Sequence, residues 1–299
     1  MPQTRTVVVT GGLGRSGRWI ADLLAAEEWR VVCVDTTHPG WEIDARENID
    51  FRAADLTDRG EALDLLADLD PDAVVHWAAL PSPTRHAGGR VFETNVLATY
   101  NVLVGAGRAG AQVAWASSES AYGFAFAEER RLPERLPIRE ANALRPEDPY
   151  GTSKVVGEEV AKMVTRRFDV PVASIRPSWI QYPGEYNCVE AREDLANGAG
   201  NFWSYVDVRD VAGLVAAALD ADFSGHEPFH VAAADNYLET PIEDALEEFF
   251  GEVPDDCNVS GDDSALSVAK ADEVLDWEPD HSWRDAVDED VERPELVRK

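Results

Sequence analysis

The sequence predicts an α/β fold: a doubly wound parallel sheet with a small lobe towards the C-terminus. Three observations lead there. Short β-branched strands alternate with amphipathic helices, a glycine-rich turn follows the first strand directly, and the alternation loosens beyond Arg176. The 299 residues suffice for one large α/β domain or for one domain with a small lobe, and 44% of them are hydrophobic, enough for a substantial core.

The elements follow in order. Thr6–Thr10 is a short apolar strand that runs into Gly11, Gly12, Gly14 and Gly17. Arg18 to Glu28 carries Trp19, Ile20, Leu23 and Leu24 at helical spacing. Val31–Asp35 is a second buried strand, and a weaker one at Asp50–Ala53 leads to Asp55 and Leu56. A helix is expected over 59–67, a strand over 71–76 and a long helix over 91–108. Val113–Ser117 is a strand ending in a serine pair, residues 150–168 form a helix, and Val172–Arg176 is the next strand. Beyond it, 177–201 is loop-rich, 208–219 and 242–250 are helical, and 229–232 is a candidate strand. The expected division is therefore a nucleotide-binding body over 1–176, to which elements at about 205–232 return, and a small lobe drawn mainly from 177–299.

Composition narrows the setting. The formal charge is −30, and lysine occurs only at 154, 162, 270 and 299. Such a surface repels nucleic acid and anionic membranes, and it strains the compact state unless salt screens it. The acidic residues are spread along the whole chain, which suggests a salt-adapted protein resembling those of extreme halophiles. No apolar run reaches the ~20 residues of a membrane helix, and no secretory signal is visible. Cys33, Cys188 and Cys257 are scattered without metal or redox spacing. A reducing, cytoplasmic location and no metal are the expectation.

Two motifs carry chemistry. Gly12, Gly14 and Gly17 satisfy Gly-x-Gly-x-x-Gly, while Gly11, Gly14 and Gly17 fit an alternative frame. Between a strand and a helix, such glycines allow backbone to approach a pyrophosphate at the helix N-terminus. This makes the expected sheet Rossmann-type. Asp35 ends the second strand, 18 residues after Gly17. A carboxylate there accepts ribose hydroxyls and repels a 2′-phosphate, pointing to NAD; Arg15 and Arg18 in the turn keep NADP open. The second motif is Tyr150 with Lys154. Four apart on a helix, they share a face. An ammonium beside the phenol favours the phenolate, so the pair could move the proton of a substrate hydroxyl or carbonyl. Taken alone, the spacing also describes a packed ring near a solvated lysine.

In this order, the segments resemble the extended short-chain dehydrogenase/reductase superfamily, which contains sugar-nucleotide epimerases and dehydratases. The resemblance runs over nearly the whole chain. It rests on the turn 10–17, Asp55-Leu56, His76-Trp-Ala-Ala79, the helix around Asn95, Ser117-Ser-Glu-Ser-Ala-Tyr-Gly123, Pro149-Tyr-Gly-Thr-Ser-Lys154, Arg176-Pro177, Tyr205 to Ala212 and Leu275 to Pro279. It implies that Gly11, Gly14, Arg15, Ser16, Gly17, Asp35, Asp55, Leu56, Ala78, Ala79 and Asn95 line the cofactor, with Asn95 also a helix brace. Tyr150 is then the general acid/base, and Ser118 positions the same oxygen, or Ser117 if the frame slips by one. Lys154 holds nicotinamide-ribose hydroxyls and lowers the Tyr150 pKa. His76 reads as core, and Tyr122 as wall.

Three departures bear on the reaction. The Asp-Glu pair of the family's dehydratases is Glu119-Ser120 here, which argues against dehydration. Pro177 and Tyr205 are only 28 apart, where nucleotide-sugar enzymes carry a longer insert. The stretch Ser178 to Gly184 lacks the family's asparagine. The shortened lobe resembles that of dehydrogenases acting on free sugars, uronates or sugar phosphates, so an NAD-dependent dehydrogenase of a small polyhydroxylated substrate is the first expectation, with a nucleotide-sugar 4-epimerase as the alternative. Substrate contacts are expected from Ser82, Glu119, Tyr182, Asn187 and Arg192, with Arg85, His86 and the rings of Trp179, Trp203 and Tyr205 as further candidates; Arg192 also reads as a solvated surface arginine or a local ion pair, and the rings as core packing of the small lobe. The resemblance also implies a homodimer through the long helix and the tyrosine helix.

Overall fold

The computed structural model describes residues 4–40, 44–82 and 84–298; Lys299 lies outside them. Seven strands form the main sheet: β1 (Thr6–Thr10), β2 (Arg30–Asp35), β3 (Ile49–Ala53), β4 (Ala73–His76), β5 (Gln112–Ala116), β6 (Val172–Pro177) and β7 (His226–Val231). All neighbours pair in parallel, in the order β7-β6-β5-β4-β1-β2-β3. The chain winds one way from β1 through β2 to β3, then returns to place β4 on the other side of β1. That reversal opens a crevice at the carboxyl ends of β1 and β4.

Period-two alternation sorts β1 between two cores. Val7 and Val9 face a cluster with Ile20 and Leu24 of α1 (Gly17–Ala26). Val8 faces the opposite cluster, with Leu66 of α2 (Arg59–Leu69), Val102 of α3 (Gly88–Ala109) and Val164 of α4 (Pro149–Phe168). Helix α5 (Val208–Asp220) sends Val211 and Val215 to the first cluster, beside α1. Burial of both faces explains why the strands read as continuous apolar runs.

A third cluster lies outside the sheet. It combines Tyr122, Leu136 and Ile138 from the excursion after β5 with Phe202, Trp203, Tyr205 and Tyr237. Ile242 and Leu246 of α6 (Ile242–Phe250) and Trp283 complete it. Trp203 and Tyr205 are fully buried here, so they are core residues and not rings offered to a sugar. Helix α7 (Ala269–Leu275) had no sequence expectation, being only seven residues long with two buried positions. The candidate strand at 229–232 starts earlier, at His226, because β7 pairs along the full length of β6.

Candidate active site

The glycine turn begins where β1 ends. Gly11 takes φ +67°, a left-handed conformation that favours glycine. Its N–H donates to Val34 O at 2.7 Å, and its carbonyl accepts from Gly14 N at 2.9 Å. A side chain at Gly17 would run into that same carbonyl, so only glycine lets α1 start this close to the turn. Gly12 faces inwards onto the Cys33 side chain. The cleft-lining triplet is thus Gly11, Gly14 and Gly17, not the literal frame through Gly12.

The turn forms one side of a cleft of about 930 Å³. Arg15, Ser16, Asp35, Asp55, Leu56, Ala78, Ala79 and Asn95 line it, together with Ser118, Tyr150 and Lys154. Asp35 sits at the end of β2, half-buried, accepting from Thr36 N at 2.8 Å. No ion pair joins it to a cation among the described residues. Asp55 accepts from Thr57 N and Oγ1 at 2.9 and 2.7 Å, bonds that lower its pKa. Arg15 lies 3.8 Å over the Tyr182 ring and pairs with Glu185. Arg18 donates to the carbonyls of Leu13, Gly14 and Pro294. The two arginines that could have met a 2′-phosphate are therefore engaged by the protein itself. Asn95 lines the cleft, but its amide bonds Leu80 N, Leu80 O and Ser153 Oγ, so it braces the β4 loop against α4.

Helix α4 presents the tyrosine in its first turn. Asp148 caps it, with Oδ1 accepting from the N–H groups of Tyr150 and Gly151 at 2.8 Å each, and Pro149 presets the entry. Lys154 is buried one turn on, its Nζ 5.3 Å from the Tyr150 ring centroid. That ammonium donates to Ala116 O at 2.6 Å. Burial lowers its pKa to about 7. Burial also dominates at Tyr150 and pushes the phenol up to about 12; a hydrogen bond with Ser118 works the other way. The expected lowering of the phenol by Lys154 is thus not found here: burial raises the phenol, Ser118 alone counters it, and the ammonium is held by a backbone carbonyl.

The serine pair divides cleanly. Both line the cleft, but Ser117 Oγ is tied to Glu158 Oε1, to which it donates at 2.7 Å, while Ser118 meets the phenol. Glu158 is buried against Arg176, which grips both its oxygens at 2.8 and 2.7 Å and donates to Tyr122 OH at 2.7 Å. Tyr122 in turn bonds His230 Nε2 at 2.5 Å. Tyr122 therefore belongs to a buried polar network and does not form the cleft wall. His76, bonded to Thr10 and Thr99, is a core residue, as its strand-end position suggested.

Of the substrate candidates, Ser82, Glu119 and Tyr182 line the cleft, as do Arg85 and Trp179. Asn187 is exposed at the start of a short helix away from it. Arg192 pairs with Glu239 at 2.8 Å and lies 4.6 Å over the Trp283 ring, locking the lobe. Neither Asn187, Arg192 nor His86 lines the cleft. Sequence reasoning missed Phe126, Arg130, Ser178 and Asn201, which do. Phe126, Arg130 and Asn201 come from loops without a motif, where only the acidic surroundings of Arg130 could have drawn notice, and Ser178 opens the stretch read only for its missing asparagine. Glu119 accepts from Ser178 Oγ at 2.9 Å, and burial raises its pKa to about 8.

The model of the NAD dependent epimerase/dehydratase family matches residues 7–233. The chain belongs to this family. The family's cofactor is NAD, and the glycine cradle, the unpaired Asp35 and the cleft fit a dinucleotide. A putative UDP-glucose 4-epimerase of Methanocaldococcus jannaschii is 29% identical over 205 residues, which cover 67% of this chain and 62% of that protein. Against several such curated epimerases, the match spans about half of their length. The UDP-glucose 4-epimerase structure from Thermotoga maritima superposes with a TM-score of 0.70 at 22% identity, covering 94% of this chain and 96% of that one. A glucuronic acid dehydrogenase from Chromohalobacter salexigens gives 0.67 at 20%, covering 98% and 92%. These two share the fold. No helix among the described residues is long and apolar enough to cross a membrane.

Proposed function

We propose that this family member is an NAD-dependent oxidoreductase acting on a small sugar or sugar-derived alcohol or carbonyl. The observation that carries this reading is the convergence of Ser118, Tyr150 and Lys154 in the cleft that the glycine turn opens. NAD, when bound, supplies the hydride acceptor. Tyr150 takes the proton of the substrate hydroxyl, and Ser118 holds the same oxygen in place. Lys154 binds ribose hydroxyls and, once drawn off Ala116 O, stabilises the phenolate. Gly11, Gly14, Ser16 and Gly17 cradle the pyrophosphate, Asp35 takes the ribose, and Asp55 and Leu56 meet the adenine. In this reading residues 1–176, with 205–232, form the nucleotide-binding body, and the rest is mainly a substrate lobe.

The short link from Pro177 to Tyr205 favours a compact substrate. The names of the curated relatives favour a second reading, a nucleotide-sugar 4-epimerase. A sugar, uronate and sugar-phosphate panel with NAD and NADP in molar salt, followed by nicotinamide absorbance, separates the two. Stoichiometric NADH, reduced about 10²–10⁴-fold in kcat by Tyr150→Phe, is the expected result. Interconversion of UDP-hexoses with no free NADH from any sugar would replace the first reading by the second. The proposal includes a cytoplasmic, salt-adapted homodimer. Phe92, Leu97 and Tyr100 of α3 are exposed and provide apolar surface for a second copy.

A further inference from the structure

Four cations line the cleft: Arg15, Arg85, Arg130 and Lys154. Arg15 is paired with Glu185, and Lys154 is held by Ala116 O. Arg85 projects from an exposed loop. Arg130 is exposed as well, but it is anchored. Its Nη1 donates to Phe124 O and Ala125 O at 3.0 Å each, so the guanidinium is fixed in place. It is seated on Gly200, where a side chain would collide with it. Carbonyls orient a guanidinium without neutralising it. No ion pair joins Arg130 to a carboxylate among the described residues, although acidic residues outnumber basic ones by 57 to 27. In such a chain, a fixed cation left unpaired in the cleft is positioned for an outside anion.

Its neighbours place it near the reacting group. Phe126, two residues from the carbonyl of Phe124, meets the Tyr150 ring edge-on at 6.2 Å between centroids. Asn201, beside Gly200, lines the same cleft, and its Oδ1 is buried with no hydrogen-bond partner among the described residues. The wall carboxyl of Glu119, with its pKa raised to about 8, carries little negative charge at neutral pH and so does not oppose an anion. Resting on the oxidoreductase reading for the place of the reacting oxygen, we propose that Arg130 anchors a single anionic group of the sugar, a carboxylate or a phosphate monoester. A guanidinium fork matches either one with two parallel hydrogen bonds.

The test uses matched sets: glucose, glucuronate, glucose 6-phosphate and UDP-glucose, and the galactose counterparts. Turnover with NAD and binding by saturation-transfer NMR are measured in molar salt for the wild type, Arg130→Met and Arg130→Lys. The expected result is a preference for one acid or monophosphate over its neutral sugar. Arg130→Met raises its KM about 10–100-fold with kcat little changed, and leaves the neutral sugar unaffected. Arg130→Lys recovers part of the loss, and the turnover arm tells carboxylate from phosphate. A preference for the neutral sugar, equal losses on charged and neutral sugars, binding of UDP-sugars alone, or no binding of any sugar anion would each overturn the proposal. Arg130-dependent binding of an acid or monophosphate without any NADH would uphold it and remove the oxidoreductase reading instead.

Discussion

At Tyr150 and Lys154, burial reverses the ordinary order of protonation. The phenol, at about 12, stays protonated through neutrality, while the ammonium, at about 7, is half discharged there. Alcohol oxidation needs the phenolate and so rises with pH on the alkaline side; carbonyl reduction needs the phenol and falls there. Opposed pH profiles of kcat/KM for the two directions are expected, and an acidic optimum for oxidation would contradict the assignment of Tyr150 as base. Lys154 also bears on stability. Its folded pKa lies below the ordinary 10.5, so between about 7 and 10.5 the unfolded chain binds more protons than the folded one. Stability from this group therefore increases with pH across that window and is least at and below pH 7. Lys154→Met should raise Tm at pH 7, with an advantage that shrinks towards pH 10, while activity is lost. A lower Tm at pH 7 would show that the Ala116 hydrogen bond outweighs the cost of burial.

Elements were legible where local chemistry set them. Strand β1 is the stretch expected, because β-branched residues end abruptly at glycine. Helix α4 begins at Pro149 because Asp148 caps it, and the spacing of Tyr150 and Lys154 then follows. The register of the glycine turn was not legible. Gly12 and Gly11 are both permissive, and only packing against Cys33 sends Gly12 inwards. The same holds for Arg192, whose partners Glu239 and Trp283 are far off in sequence. What tells Ser117 from Ser118 is a hydrogen bond to Glu158, 41 residues from Ser117 and out of reach of local pattern. At this scale, Gly17→Ala is the decisive change. Its methyl group has no room beside Gly11 O, so α1 must shift and the pyrophosphate cradle with it. NADH binding, followed by fluorescence, should weaken at least tenfold while circular dichroism stays native. Unchanged binding would mean that the turn does not contact the dinucleotide.

The whole molecule carries −30 with 57 acidic residues. Several ion pairs offset part of this at the surface, among them Arg5–Asp220 and Arg30–Asp50, but exposed pairs contribute little. Self-repulsion remains, and salt screens it over a Debye length of about 3 Å at 1 M. Tm should therefore climb steadily between 0.1 and 2 M KCl. A Tm independent of salt would leave the charge without an adaptive role.

The contact of Arg15 with Tyr182 and Glu185 joins the glycine turn to the segment after β6, and both walls belong to the same cleft. It bridges the two walls beside the glycine turn. On the proposed function this exposed clasp sits beside the pyrophosphate, so its opening would bear on release of the dinucleotide more than on release of the sugar.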